Sequence, residues 1–270
     1  MLVTHRDGAR GDALPLPAEL ERLYGGPLRL RSRVVFANFV STIDGVTSYG
    51  SPGIAAARFI SGGYAGDRFV LALLRAAADA VVVGAGTLRQ EPESVWTAAS
   101  VYPDAADAFA ALRTALGRPA SPPTVIATMS GDVDLSLPAF HSGVPVVIAT
   151  TRAGARSLAT PPPGVTVQAV SGEGPIAAAS LVRLAEEVSG GTRILTEGGP
   201  TLLGQFLREL ALDELFLTIA PSLAGRTDAL KRMALVEGAG FTPRDAPRAT
   251  LASLRTSGDY LFTRWALARS

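Results

Sequence analysis

The sequence predicts an α/β fold with a mostly parallel central sheet, helices on both faces and an antiparallel C-terminal edge. Three observations carry this. Short runs of β-formers alternate with stretches of helical period from residue 33 to residue 209. The strand candidates at 33–40 (RVVFANFV) and 80–83 are almost unbroken apolar runs, as parallel strands covered on both faces are. After residue 209 strand patterns follow one another at 214–220, 250–255 and 260–268 with no helix between them, which makes the antiparallel edge.

Taken in order, residues 1–32 begin polar and rich in Gly and Arg. A short helix is expected at 17–24, stopped by Gly25-Gly26-Pro27. This segment reads as an N-terminal extension, either packed on the body or partly mobile, before one domain over 33–270. The strand at 33–40 runs into Ser41-Thr42-Ile43-Asp44-Gly45, where Asp-Gly signals a turn. Residues 49–63 mix Gly and Ser with small apolar residues, a loop with room for a helical turn. Residues 65–78 show helical period through Phe69, Leu73, Leu74 and Ala77. The strand at 80–83 meets Gly84-Ala85-Gly86-Thr87. A helix at 105–116, strands at 124–128, 144–150 and 165–170, and a helix at 176–188 follow. Residues 193–207, RILTEGGPTLLGQFL, then pass from strand through Glu197-Gly198-Gly199 into a helix that opens at Pro200, a position that tolerates a missing N–H.

Composition excludes several classes of function. The chain has 270 residues and is 47% hydrophobic, enough for a substantial core. Its formal charge of +1 offers no global field for nucleic acid or anionic membrane. No uninterrupted apolar run reaches the length of about 18 residues that a membrane helix needs. The first residues lack a basic region followed by an apolar run, so no signal peptide is expected and the expected location is the cytoplasm. Cysteine is absent, which removes disulfides, thiol catalysis and thiolate zinc sites. Two distant histidines, His5 and His141, support neither a metal centre nor a Ser-His-Asp triad.

Four stretches carry candidate chemistry. A helix N-terminus after two glycines suits a phosphate or pyrophosphate, and Glu197 stands at a strand's C-terminal end, where α/β sheets bind ligands. A tight βα turn with a surface Glu is the plain alternative. VVVGAGTLR at 81–89 resembles a dinucleotide fingerprint, but Arg89 occupies the third glycine position, so a standard fingerprint is disfavoured. What remains is a glycine-bracketed turn whose Thr87 can donate to a phosphate or ribose. Asn38 is an amide set among apolar residues and needs a partner, from the fold or from a ligand. Asp44 either makes a turn with Gly45 or acts at the site. Arg68 and Arg75 lie seven apart on one helix; Arg68 follows the Gly-rich loop and suits a substrate phosphate, while Arg75 suits the helix dipole, and a solvated face explains either.

Together these stretches resemble a known family. Asn38-x3-Thr42-x-Asp44-Gly45, Leu74-Arg75-Ala76 with residues 78–87, Thr196-Glu197-Gly198-Gly199-Pro200-Thr201-Leu202, and Leu212-Asp213-Glu214-Leu215 with Ala220-Pro221-x2-Ala224-Gly225 occur in that order. The chain thus resembles, over residues 33–268, the reductase domain of the bifunctional riboflavin-biosynthesis deaminase/reductase, a branch of the dihydrofolate reductase-like fold. No counterpart of the deaminase half, with its zinc motif, is expected among these residues. The resemblance implies an NADPH-dependent reductase that opens a phosphorylated ribosylamino-pyrimidine. It implies that Ser41, Gly84, Gly86, Thr87, Thr128, Gly198, Gly199, Pro200, Thr201 and Leu202 line the cofactor. It places Asn38, Arg68 and Glu197 on the substrate side, with Asp44 or a water as proton source. Glu197 and Asn38 would grip a pyrimidine- or pterin-like ring, the ring giving Glu197 the donor that a half-buried carboxylate needs.

Further expectations follow. Arg152, just after the 144–150 strand, is placed for the 2′-phosphate that separates NADPH from NADH. A homodimer is expected through the C-terminal strands, with Phe262 and Trp265 at its surface. One departure concerns the substrate. The turn Thr87-Leu88-Arg89-Gln90-Glu91-Pro92 is one residue shorter than the family's, and the arginine that normally follows to hold the substrate phosphate is missing. Two other readings stay open at this point: a reductase of a pterin or folate, and a non-catalytic NADP-binding protein on the same fold.

Overall fold

The structure is a computed structural model and describes residues 1–50, 57–230 and 232–268. The chain opens with β1 (Val3–Asp7), β2 (Asp12–Ala13), α1 (Ala18–Tyr24) and β3 (Arg29–Leu30). Then come β4 (Val34–Thr42), β5 (Val46–Ser48), α2 (Ala57–Ile60) and α3 (Ala65–Ala77). The middle holds β6 (Ala80–Gly84), α4 (Ala85–Gln90), α5 (Ala98–Val101), α6 (Ala106–Ala115), β7 (Thr124–Ala127), β8 (Val146–Thr151), α7 (Arg152–Ser157) and β9 (Val165–Ser171). α8 (Ala178–Ser189), β10 (Arg193–Thr196) and α9 (Pro200–Arg208) lead to β11 (Glu214–Ala220), β12 (Met233–Ala234), β13 (Ala249–Ser257) and β14 (Tyr260–Leu267).

Ten strands form the main sheet in the order β1-β13-β14-β11-β4-β10-β6-β7-β8-β9. From β11 to β9 every neighbouring pair is parallel. β14, β13 and β1 add the antiparallel edge. Alternation along β4 explains why the sheet needs cover on both sides: Phe36 packs with Leu73, Leu74 and Leu112, whereas Val35, Ala37 and Phe39 pack with Leu181, Leu203 and Phe206. One face therefore takes α3 and α6, the other α8 and α9.

The loop expected at 49–63 contains α2; residues 51–56 of it lie outside the described residues. The weakly patterned 250–255 segment is the nine-residue β13, held between β1 and β14. Of the two arrangements open to residues 1–32, the packed one is observed. β1 pairs with β13, and Leu20, Tyr24, Leu28 and Leu30 are buried in the same core as Phe36 and Phe262. The Arg255 guanidinium lies 4.0 Å from the centre of the Tyr24 ring and donates to the Tyr24 carbonyl at 3.1 Å.

The parallel register puts the C-terminal ends of β4, β10, β6, β7 and β8 along one edge. Thr42, Glu197, Gly84, Thr128 and Thr151 consequently share that side of the molecule, though they are far apart in the chain.

Candidate active site

Two cavities open on this edge. The larger, about 420 Å³, is lined by Gly84, Gly86, Thr87, Arg89, Thr128, Met129, Ser130, Ile176, Leu181, Gly199, Pro200, Thr201 and Leu202. That volume falls in the range of cofactor sites. The smaller, about 110 Å³, is lined by Asn38, Thr47, Ser48, Asp67, Leu71, Arg75, Glu91 and Glu197. Thr87, Gln90, Gly199 and Pro200 line both, so the two cavities meet at the two glycine turns. The Gly199 amide donates to Thr87 Oγ1 at 3.0 Å, which locks one turn to the other.

The glycines have separate tasks. A Cβ on Gly86 would meet nothing within 4 Å, and one on Gly84 only the Gly86 amide at 4.0 Å. The bare backbone there faces open cavity. By contrast, a Cβ on Gly198 would stand 2.2 Å from Leu202 Cδ2. Gly198 is therefore a packing requirement of the turn and lines neither cavity.

At the wall of the small cavity Arg75 and Glu197 form a two-pronged ion pair. Arg75 Nε donates to Glu197 Oε1 at 2.8 Å and Nη2 to Oε2 at 2.6 Å. The side chains are 3% and 9% exposed, so water does little to screen the pair. Arg75 Nη1 is occupied by the carbonyls of Val95 at 3.4 Å and Thr97 at 3.3 Å. This corrects the expectation that Glu197 waits for a ligand donor: Arg75 already supplies two. A carboxylate has further lone pairs, and Glu197 still presents an edge to the cavity. Asn38, from the middle of β4, reaches the same cavity with its Oδ1 buried and unpartnered among the described contacts.

The structure brings together Asn38 and Glu197 in the small cavity, and Gly84, Gly86, Thr87, Thr128, Gly199, Pro200, Thr201 and Leu202 in the large one. Ser41 is buried in β4 opposite Ile219 and lines neither. Arg152 is an exposed first residue of α7 outside the cavity lining; the arginine that lines it is Arg89. Arg68 is corrected too. One residue on from Asp67 is about 100° around the helix, and Arg68 is exposed, 6.0 Å over the Tyr102 ring. The arginine of α3 that faces the site is Arg75.

Asp44 does structural work. Its carboxylate accepts from the Thr42 hydroxyl at 2.6 Å and from the amides of Ala224 at 3.0 Å and Gly225 at 2.7 Å. These bonds, the Thr42 hydroxyl first, hold the carboxyl well below the usual carboxylate range. A group so firmly ionised, outside both cavities, is a poor proton donor. Sequence reasoning missed Asp67, which lines the small cavity. Its signal was a lone acid at i, i+4 and i+8 spacing with Leu71 and Arg75.

Fold and site define a class: an α/β domain with a cofactor-sized cavity across the C-terminal ends of parallel strands, joined to a small polar cavity. Within that class the chain belongs to the RibD C-terminal domain family, whose model matches residues 33–262. A pyrimidine reductase-like protein from Corynebacterium diphtheriae has 23% identity and a TM-score of 0.69, over 93% of this chain and 99% of its own. A diaminohydroxyphosphoribosylaminopyrimidine deaminase/5-amino-6-(5-phosphoribosylamino)uracil reductase from Thermotoga maritima has 19% identity and a TM-score of 0.62, over 88% of this chain. This chain spans 57% of that longer protein. The riboflavin biosynthesis reductase of Saccharomyces cerevisiae has 12% identity and a TM-score of 0.53, over 88% of this chain and 90% of its own. These structures share the fold. No curated protein matches the chain by sequence.

Among the described residues no helix is long and apolar enough to cross a membrane, and no cluster of acids and histidines is arranged for a metal ion.

Proposed function

We propose that this protein is an NADPH-dependent reductase of a pyrimidine-type substrate, of the ribosylamino-pyrimidine phosphate kind. The observation that carries the reading is the shared wall of the two cavities at Thr87, Gln90, Gly199 and Pro200. A cofactor in one and a ring in the other would touch there. Family membership and the reductase names of its structural relatives agree with it.

The large cavity suits a dinucleotide. Gly84 and Gly86 offer bare backbone, Thr87 and Thr128 offer hydroxyls, and Met129, Ile176 and Leu181 make an apolar slot for a base. Bound there, a nicotinamide cofactor supplies hydride. Arg89 is the cation on this wall and the better partner for a 2′-phosphate than Arg152. In the small cavity, the Asn38 carbonyl and the open edge of Glu197 are acceptors for ring N–H groups, while the Arg75 clamp keeps Glu197 from moving.

Measuring NADPH oxidation with a ribosylamino-pyrimidine phosphate, a ribosylamino-pyrimidine without phosphate, and dihydrofolate tests the reading. Turnover on either pyrimidine above that on dihydrofolate is expected. Turnover on dihydrofolate alone, or tight NADPH binding with no turnover, would reject it.

The assembly we propose is a homodimer. Phe262 faces the core at 6% exposure, so it is not the surface aromatic expected from sequence; Phe262 and Trp265 point to opposite faces of β14. Trp265 is half-buried on the face shared with Leu215, Leu217 and Ile219. Sedimentation at micromolar concentration should give a dimer, and Trp265→Lys a monomer; a monomeric parent protein would remove the proposal.

A further inference from the structure

Buried carboxylates in this protein are matched to arginines. Asp79 meets Arg118 at 2.9 Å, Asp213 meets Arg31 at 3.2 Å, and Glu214 meets Arg264 at 2.5 Å. Asp67 departs from this pattern. It is buried, and among the described residues no cation is paired with it. The hydroxyls of Thr218 and Ser61 lie beside its carboxyl and favour its charged form, against the effect of burial. A buried carboxylate without a cation is costly, so its protonated form is favoured.

Its placement is specific. Asp67, Leu71 and Arg75 share one face of α3 and line the small cavity together with Asn38 and Glu197. The charged and titratable groups around it are Arg75, Glu197 and Glu91 on the cavity wall, and Tyr260 of β14, whose phenol is raised by burial first and by the Asp67 charge second. Tyr64 stacks on Tyr260 at 3.9 Å.

We propose that Asp67 is the proton donor of the small cavity, protonating the heteroatom of the substrate's double bond as hydride reaches its carbon. The assignment rests on the reductase reading above. The carbon of a C=N or C=O gains hydride with its electron pair from a nicotinamide-class reductant, which is oxidised. The π pair moves to the nitrogen or oxygen, and that atom takes the carboxyl proton, leaving Asp67 as a carboxylate. Water returns the proton before the next turnover.

Burial pushes the Asp67 carboxyl up to about 6, against the pull of the Thr218 and Ser61 hydroxyls. A donor in that range holds its proton into mildly acidic solution, where an ordinary Asp has lost it. The same shift bears on folding. A carboxyl raised in the fold adds stability at acid pH, and that contribution is lost as pH rises through about 6.

The test combines pH–rate profiles with cofactor titration and melting curves for the parent protein, Asp67→Asn and Thr218→Val. In the parent, kcat should fall as pH rises through about 6. Asp67→Asn should lower kcat about a hundredfold or more and lose that limb, with NADPH affinity unchanged. It should also melt above the parent at pH 8. Thr218→Val, which removes a hydroxyl that favours the carboxylate, should move the midpoint to higher pH. Parental kcat in Asp67→Asn, or an unchanged pH limb, would overturn the assignment while leaving the reductase reading intact. A parent protein that turns over none of the substrates overturns that reading, and the donor assignment falls with it.

Discussion

Arg75→Met is expected to abolish measurable turnover and to cost about 3–5 kcal/mol of folding stability. The reason is what the substitution leaves behind. Glu197 loses both guanidinium contacts, at 2.8 and 2.6 Å, and becomes a buried carboxylate without a cation. Glu197→Gln is milder. One of its two terminal atoms becomes a donor facing the Arg75 donors, a lost charged hydrogen bond worth about 1.5–3 kcal/mol. If that loss falls on the transition state, kcat/KM drops roughly ten- to hundredfold at about 1.4 kcal/mol per decade. NADPH affinity should barely change, because the large cavity meets the backbone from Gly199 onward and not the Glu197 side chain. The double variant Arg75→Met/Glu197→Leu separates structure from function. Replacing a buried pair by apolar groups is often close to neutral, so its melting temperature should recover while activity does not. Recovery of both would make the pair purely structural.

Gly86→Val should lower NADPH affinity at least a hundredfold without lowering the melting temperature. Gly86 is not in a left-handed conformation, and its Cβ would meet no atom within 4 Å. The Cβ of the added side chain therefore enters open cavity, and the side chain occupies space that a bound phosphate or ribose would need. Gly199→Val is a less clean probe, because a Cβ there stands 3.4 Å from Thr87 Oγ1, the hydroxyl that joins the two turns. Titrations with both cofactors extend the test. Arg89→Ala should weaken NADPH and spare NADH, whereas Arg152→Ala should change neither. Unchanged NADPH affinity in Gly86→Val would move the cofactor away from this cavity.

Much of the site could be read before the fold was known, because glycine turns and strand ends are local features. Gly84, Gly86 and Thr87 sit where an apolar strand stops, and Pro200 opens a helix after two glycines. Asn38 stood out as an amide among apolar neighbours, and it does face the cavity. Arg68 and Arg75 could not be separated that way. Helical period says that residues seven apart lie near one face, yet the cavity takes the stripe of Asp67, Leu71 and Arg75, while Arg68 turns to Tyr102. Which stripe faces a ligand depends on how the helix is rotated against the sheet.

The sequence by itself determined the alternation of strands and helices, the parallel core with its antiparallel edge, and the two glycine turns, since each follows from periodicity and backbone preference within a few residues. Tertiary structure alone decided the partners of the charges. Arg75 reaches Glu197 across 122 positions of chain, and Asp44 is claimed by the amides of Ala224 and Gly225, 180 and 181 positions away. It also set Asp67 apart, by burying it beside hydroxyls with no arginine paired to it among the described residues. A carboxylate's role depends on its solvation and on the nearest opposite charge, and both are set by packing between distant segments rather than by neighbours in sequence.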